Sequence, residues 1–320
     1  FFSQFPELSG NPLFLAGESY SGHYTPQTAS LVLQDPELAP QLKGWAVGNP
    51  SFDHTDGSGY FPLLASHGVV SLELFHQANQ TCNGSLLFTN PYHAQEQEGG
   101  GGEMRALAVG INPYSLIAPC VGKPSLNGGC LTTALATTQG AYGGSEGVGS
   151  QTFVPCINTT AAHDYLNRAD VREAIHASPH APEWSVCSST VNYTQYAPTV
   201  APLYHEMLGK VRVLVYSGSS DSCVPFLSTE PSMDNLGYPI KTPWRQWHTP
   251  DATFGSQVAG FTKQYDVSSN QQPNTPQDAV SEFPKDFYFA TVRGAGHMCP
   301  TFRPEQSFYL FQRFINGSTY

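Results

Sequence analysis

Apolar positions change their spacing along this chain, and each change marks an element. Phe14, Leu15 and Ala16 form a short continuous apolar run, the pattern of a buried strand. From Tyr20 to the breaker Pro36 the chain reads as a helix, and LKGWAVGN, Leu42 to Asn49, is a second apolar strand. Alternating strand and helix predicts a mainly parallel sheet. The character changes near Ser51. Helical fragments at Ser71–Gln80 and Asp164–His176 alternate with the spacers EQEGGGGE and TTQGAYGGSEGVGS, which read as solvated loops. Strand-like runs return in VRVLVYSG, Val211 to Gly218, and FYFATVRG, Phe287 to Gly294. A final helix has Pro304 near its start and Phe308, Phe311, Phe314 and Ile315 as its apolar face, with Asn316 and Gly317 as the stop. The pattern predicts an α/β core from residues 1–53 and 191–320, interrupted by an inserted, mostly helical cap over 54–190.

Composition narrows the function. With 320 residues the chain can bury a large core. A net charge of −11 argues against a nucleic-acid partner, which would need clustered Lys and Arg. No apolar run approaches a membrane span. Of the seven cysteines (82, 120, 130, 156, 187, 223 and 299), five fall in the cap, and none has zinc-ligand spacing. Together with sequons at Asn79, Asn83, Asn158, Asn192 and Asn316, they point to an oxidising, glycosylating compartment. An odd count implies a free thiol or a partner elsewhere.

Three strand ends carry the candidate chemistry. LFLAGESYSGHY sets Ser19 in a sharp strand-to-helix turn, where a hydroxyl stands out at the end of a sheet. Serine is a poor nucleophile without a base, and the base needs an orienting group. Asp221 follows the strand in VLVYSGSSDSCVP, and His297 follows the last strand in FATVRGAGHMCP. The order Ser19, Asp221, His297 is that of an α/β-hydrolase. A serine in a glycine-flanked turn is by itself usually only a turn residue; three stations in the right order make the signal specific. His176 and His180 have helical metal-ligand spacing, but Pro179 between them favours a solvated loop, and no metal is expected. His23 is expected to pack or cap locally. WRQWH, Trp244 to His248, reads as a packing segment rather than a cleft lining.

The chain resembles the serine carboxypeptidase family. The matching stretches are GESYSGHY, LKGWAVGNP, INPYSLIAPC, YLNRADVREAIHA, WSVC, YSGSSDSCVP and VRGAGHMCPTFRP, in family order over nearly the whole length. The resemblance implies that Ser19 is the nucleophile, His297 the general base and acid, Asp221 the orienting acid and the Tyr20 N–H an oxyanion donor. No cofactor is implied. It makes Glu18 the group that hydrogen-bonds the substrate's C-terminal carboxylate when protonated, hence an acid-pH peptidase acting through an acyl-enzyme on peptide or protein C-termini. Glu18 favours hydrolysis over acyl transfer, because plant acyltransferases of the family tend to carry aspartate there. An acyltransferase or esterase, or a protective binding protein without activity, are the alternatives. Ser21, Ser219 and Cys299 depart from the usual pattern.

The family also has an upstream segment with a Gly-Gly-Pro-Gly-Cys run, which supplies the second oxyanion donor. It is not in this sequence, so the sheet is expected to be incomplete, with Phe1 partway along a helix. Losing that donor costs about 3 kcal/mol of transition-state stabilisation, and the fragment alone is expected to be inactive. Cys120–Cys156, Cys82–Cys130 and Cys223–Cys299 are the expected disulfides, with Cys187 the orphan. A lysosomal, vacuolar or secreted location is implied, the signal peptide lying upstream. The oligomeric state is open, a homodimer included.

Overall fold

The computed structural model describes residues 1–53, 56, 58–81, 101–121, 156–186, 198–270 and 283–320. Its strands are β1 (Leu13–Glu18), β2 (Leu42–Gly48), β3 (Arg212–Gly218), β4 (Ile240–Asp251), β5 (Gly255–Tyr265) and β6 (Phe287–Val292). They form one sheet in the order β1-β2-β3-β6-β5-β4. The pairs from β1 to β6 are parallel, and β5 with β4 adds an antiparallel hairpin on one side. The helices are α1 (Ser21–Gln34), α2 (Tyr60–Ser66), α3 (Leu72–Thr81), α4 (Gly101–Leu107), α5 (Thr160–Leu166), α6 (Ala169–Ala174), α7 (Ala201–Met207), α8 (Phe226–Asp234), α9 (Cys299–Phe302) and α10 (Pro304–Ile315).

The central strands are buried at nearly every position because both faces of the sheet are covered. Trp45, Val47, Val213, Val215, Phe287 and Phe289 point to one side, where Ala29 of α1, Tyr204 and Met207 of α7 and Met233 of α8 meet them. Ala46, Leu214, Tyr288, Ala290 and Val292 point to the other, against Leu310 and Phe314 of α10. A third apolar cluster joins Tyr60, Phe61 and Leu64 of α2 to Phe75 of α3 and Met104 of α4. Among the described residues no helix is long and apolar enough to cross a membrane.

Three local expectations change. The helix expected at Asp164–His176 is two, α5 and α6. Asn167 breaks it: its amide donates to His163 O and Trp184 O, and its Oδ1 accepts from Trp184 N. The buried stripe of α10 is Ser307, Leu310 and Phe314, while Phe308 and Phe311 are 57% and 44% exposed. The run 308–311–315 lies one position, about 100°, around the helix from that stripe. Ahead of β1 there are turns and a 3-10 turn, Pro6–Leu8, rather than the end of a helix.

The β4–β5 hairpin has no counterpart in the strand pattern, because Pro243, Pro250 and three register shifts obscure its alternation. WRQWH lies within it as a packing segment. Trp247 is buried with Nε1 donating to Thr291 O at 2.9 Å, and Trp244 stacks on Phe261.

Candidate active site

Ser19 stands between β1 and α1 with φ +61°, a left-handed conformation that costs a residue with a Cβ about 1–2 kcal/mol. Its neighbours leave it no alternative. Ser19 N donates to Gly48 O at 2.9 Å, and its carbonyl accepts from Gly22 N at 2.9 Å and Ser51 N at 3.0 Å. The close approach needs glycine at 22, where a Cβ would come within 2.1 Å of Ser51 O. Parallel pairing sets the ends of β1, β2, β3 and β6 side by side, so Glu18, Ser19, Asn49, Asp221 and His297 come from adjacent strand ends.

Asp221 is fully buried, and its carboxylate is saturated with donors. Oδ1 accepts from Cys223 N at 2.8 Å. Oδ2 accepts from His297 Nδ1 and from Asn49 Nδ2, each at 2.7 Å, and from Val224 N at 3.2 Å. With Nδ1 bonded to a carboxylate, the imidazole is neutral with its proton on Nδ1, leaving Nε2 as acceptor, or is the charged form. Burial alone would push the His297 pKa down. The charge and hydrogen bond of Asp221, with the charge of Glu18, outweigh it and hold the pKa above the ordinary value. Ser19 Oγ makes no hydrogen bond among the described residues.

Glu18 is half-buried, and its pKa stands above the usual carboxylate value. Burial is the main cause and Asp221 repulsion adds to it, against attraction from His297. His23 stacks on Tyr20 with ring centroids 4.8 Å apart, and its Nε2 lies 3.4 Å from Ser51 Oγ. It packs behind the turn, as expected. His176 and His180 are exposed, and no metal-binding group of three or more His, Cys, Asp or Glu occurs among the described residues.

Two contributors were quoted in the sequence without a role. One is Asn49. The other is the segment Asn112–Leu116, which lies between the aspartate and histidine loops. Tyr114 O accepts from His297 N at 2.7 Å, Pro113 O accepts from Ser222 N and Oγ, and Leu116 N donates to Ser220 O. Gly296 is where this fit is tightest, since an added Cβ would lie 2.0 Å from Tyr114 O. Gly296→Ala is therefore expected to displace His297 and slow phosphonate labelling of Ser19 about 10²-fold, measured as a second-order rate. An unchanged rate would mean that the Asn112–Leu116 segment does not position the imidazole.

The Cys120–Cys156 disulfide is present. Cys223–Cys299 is not: Cys299 is a free, buried thiol, and Cys223 is in a disulfide of its own. Cys299 Sγ faces Asn49 Oδ1 at 3.3 Å and Gly296 O at 3.5 Å, so convergence of the two loops does not bring the sulfurs together. Cys82, Cys130, Cys187, Asn83 and Asn192 lie outside the described residues. Asn158 and Asn316 are exposed and Asn79 is partly buried.

The serine carboxypeptidase family model matches residues 1–317. The chain belongs to the serine carboxypeptidase family. It is 31% identical over 330 residues to serine carboxypeptidase-like 32 of Arabidopsis thaliana, covering 99% of this chain and 64% of that protein. It is 31% identical over 348 residues to the lysosomal protective protein of Mus musculus, covering 100% and 68%. Among solved structures it is similar to Kex1Δp, a prohormone-processing carboxypeptidase from Saccharomyces cerevisiae. That match has a TM-score of 0.60 at 14% identity and covers 98% of this chain and 64% of the other. It establishes the α/β-hydrolase fold. This carboxypeptidase-family chain thus spans less than two thirds of the length of several relatives.

Proposed function

We propose that the protein is a serine-type carboxypeptidase that removes C-terminal amino acids from peptides at acidic pH. The observation that carries this reading is the His297–Asp221 bond of 2.7 Å at the same end of the parallel strands as the left-handed Ser19. In the reaction His297 Nε2 takes the Ser19 proton as Oγ attacks the last peptide carbonyl. The tetrahedral oxyanion is met by the Tyr20 N–H, and His297 returns the proton to the departing amine. Water then attacks the acyl-enzyme with His297 again as base. No step calls for a metal or cofactor. The division into core (1–53 and 191–320) and inserted cap (54–190), and a lysosomal, vacuolar or secreted location, belong to the same proposal. The lysosomal relative supports the location, and the exposed sequons Asn158 and Asn316 suit glycosylation.

Glu18 gives the exopeptidase its anchor. A protonated carboxyl donates to the substrate's terminal carboxylate, whereas an ionised one repels it. Because the Glu18 pKa is raised, the donor form persists to higher pH than for an exposed glutamate. As pH rises through that pKa the proton leaves and binding weakens. Catalysis needs His297 neutral while Glu18 is protonated. That state holds as many protons as ionised Glu18 beside imidazolium, and a bound carboxylate selects the former. The expected result is that kcat/KM for a blocked dipeptide falls from mildly acidic to neutral pH, while ester hydrolysis declines less. Glu18→Gln, an amide donor at every pH, should lose the falling limb; a variant that keeps it would refute the role. Offering a glucose ester and a peptide to one preparation of the full protein separates hydrolase from acyltransferase. A fluorophosphonate adduct at Ser19 separates either from an inert binding protein.

A further inference from the structure

We propose that Asn49 is a positioning residue for the charge relay: its side-chain amide fixes Asp221, and through it His297, and ties together the loops that carry them. The inference rests on the carboxypeptidase reading of the site and adds to it a residue outside the Ser19, Asp221, His297 set.

Asn49 directly follows β2 and is completely buried, yet its φ is +44°. Asn tolerates this left-handed conformation better than most residues with a side chain. Its backbone N–H and both ends of its side-chain amide are used. Its N–H donates to Tyr216 O at 2.7 Å. Nδ2 donates to Asp221 Oδ2 at 2.7 Å, and Oδ1 accepts from Gly218 N at 3.1 Å and from Cys299 Sγ at 3.3 Å. The amide can have only this orientation, since a carboxylate accepts and a peptide N–H donates.

Asp221 Oδ2 therefore lies between two donors at the same distance, His297 Nδ1 on one side and Asn49 Nδ2 on the other. The backbone N–H groups of Cys223 and Val224 hold the carboxylate from its own loop. Nδ2 adds a donor from a different strand end, on the oxygen that His297 uses, and supports a negative charge that has no access to solvent. The Gly218 and Cys299 contacts hold the amide to the aspartate loop and to the residue two beyond His297. The titratable groups on the surrounding elements are Glu18 at the end of β1, Tyr216 in β3, Asp221 after β3, and His297 and Cys299 after β6. Asp221 and Cys299 contact the amide directly.

Two variants separate positioning from bulk. Asn49→Gly keeps the left-handed backbone without strain and deletes the amide. Asn49→Asp keeps the shape but sets a second carboxyl against Asp221; the pair can hold one proton, so its donor is present only at low pH. In the full protein, Asn49→Gly is expected to slow fluorophosphonate labelling of Ser19 about 10²-fold while thermal unfolding remains cooperative. Asn49→Asp should label near the parental rate at acidic pH and lose ground to the parent as pH rises. Labelling is chosen because it does not involve the carboxylate anchor at Glu18. The low-field proton resonance of His297 Nδ1–H provides a readout independent of activity, and it should shift or broaden in Asn49→Gly. Parental labelling rate and pH profile in both variants would overturn the inference with the carboxypeptidase reading intact. A parent that takes no label would instead refute that reading. The resonance then decides the role of Asn49 alone, and an unmoved signal overturns it.

Discussion

Replacing Ser19 by glycine is expected to abolish peptidase activity and phosphonate labelling while making the folded chain more stable. The loss of turnover should be on the order of 10⁶-fold, as for removal of the nucleophile from other serine hydrolases. The gain in stability should be about 1 kcal/mol, because glycine takes the left-handed conformation at no steric cost whereas serine does so under strain. Ser19→Ala should lose activity equally and gain nothing, since alanine keeps the Cβ. The pair isolates two consequences of one residue. Chemistry needs the Oγ, and projecting it from the turn requires a conformation enforced by the bonds to Gly48, Gly22 and Ser51. Parallel activity and chemical-denaturation measurements on both variants check this. Residual turnover near the parental level would remove Ser19 from the mechanism, and Ser19→Gly no more stable than Ser19→Ala would remove the strain.

The second large effect lies away from the site. Arg212 opens β3 and is fully buried. Its Nε lies 2.9 Å from Asp286 Oδ1, an ion pair whose angles fall short of a good hydrogen bond. Its Nη atoms donate to the carbonyls of Arg313, Phe314 and Ser318 at the end of α10, where the helix dipole favours a cation. Burial raises the Asp286 pKa even though Arg212 opposes it, so the pair as a whole gains little. Breaking it is another matter. Asp286→Ala leaves a buried guanidinium without its counter-charge, at a cost of about 3–5 kcal/mol, which should lower the melting temperature by about 10 °C. Asp286→Asn should fall between the two. A melting temperature unchanged by Asp286→Ala would mean that the carbonyls alone satisfy Arg212.

The β1, β2, β3 and β6 strands, the turn at Ser19 and the stations at Asp221 and His297 could be read from the chain because each depends on local order. A strand buried on both faces needs a short apolar run, a sharp turn needs small residues, and the candidate reacting groups sit in the loops just after the strands. The β4–β5 hairpin could not be read, because its bulges and prolines are tolerated only where an edge strand has one neighbour. The face of α10 is hidden for a related reason: local spacing allows two overlapping stripes, and only the sheet beneath selects Leu310 and Phe314.

By itself the sequence determined the family and the candidate acid, base and nucleophile, whose residue types and order follow from the chemistry of activating a hydroxyl. Tertiary structure alone decided which groups hold them. Asn49 lies 172 positions from Asp221, and Tyr114 lies 183 from His297. Cys299 stays a thiol because its sulfur faces an amide oxygen rather than Cys223. Such partnerships arise when parallel strands align their ends, and no local pattern encodes which distant loop end will meet another.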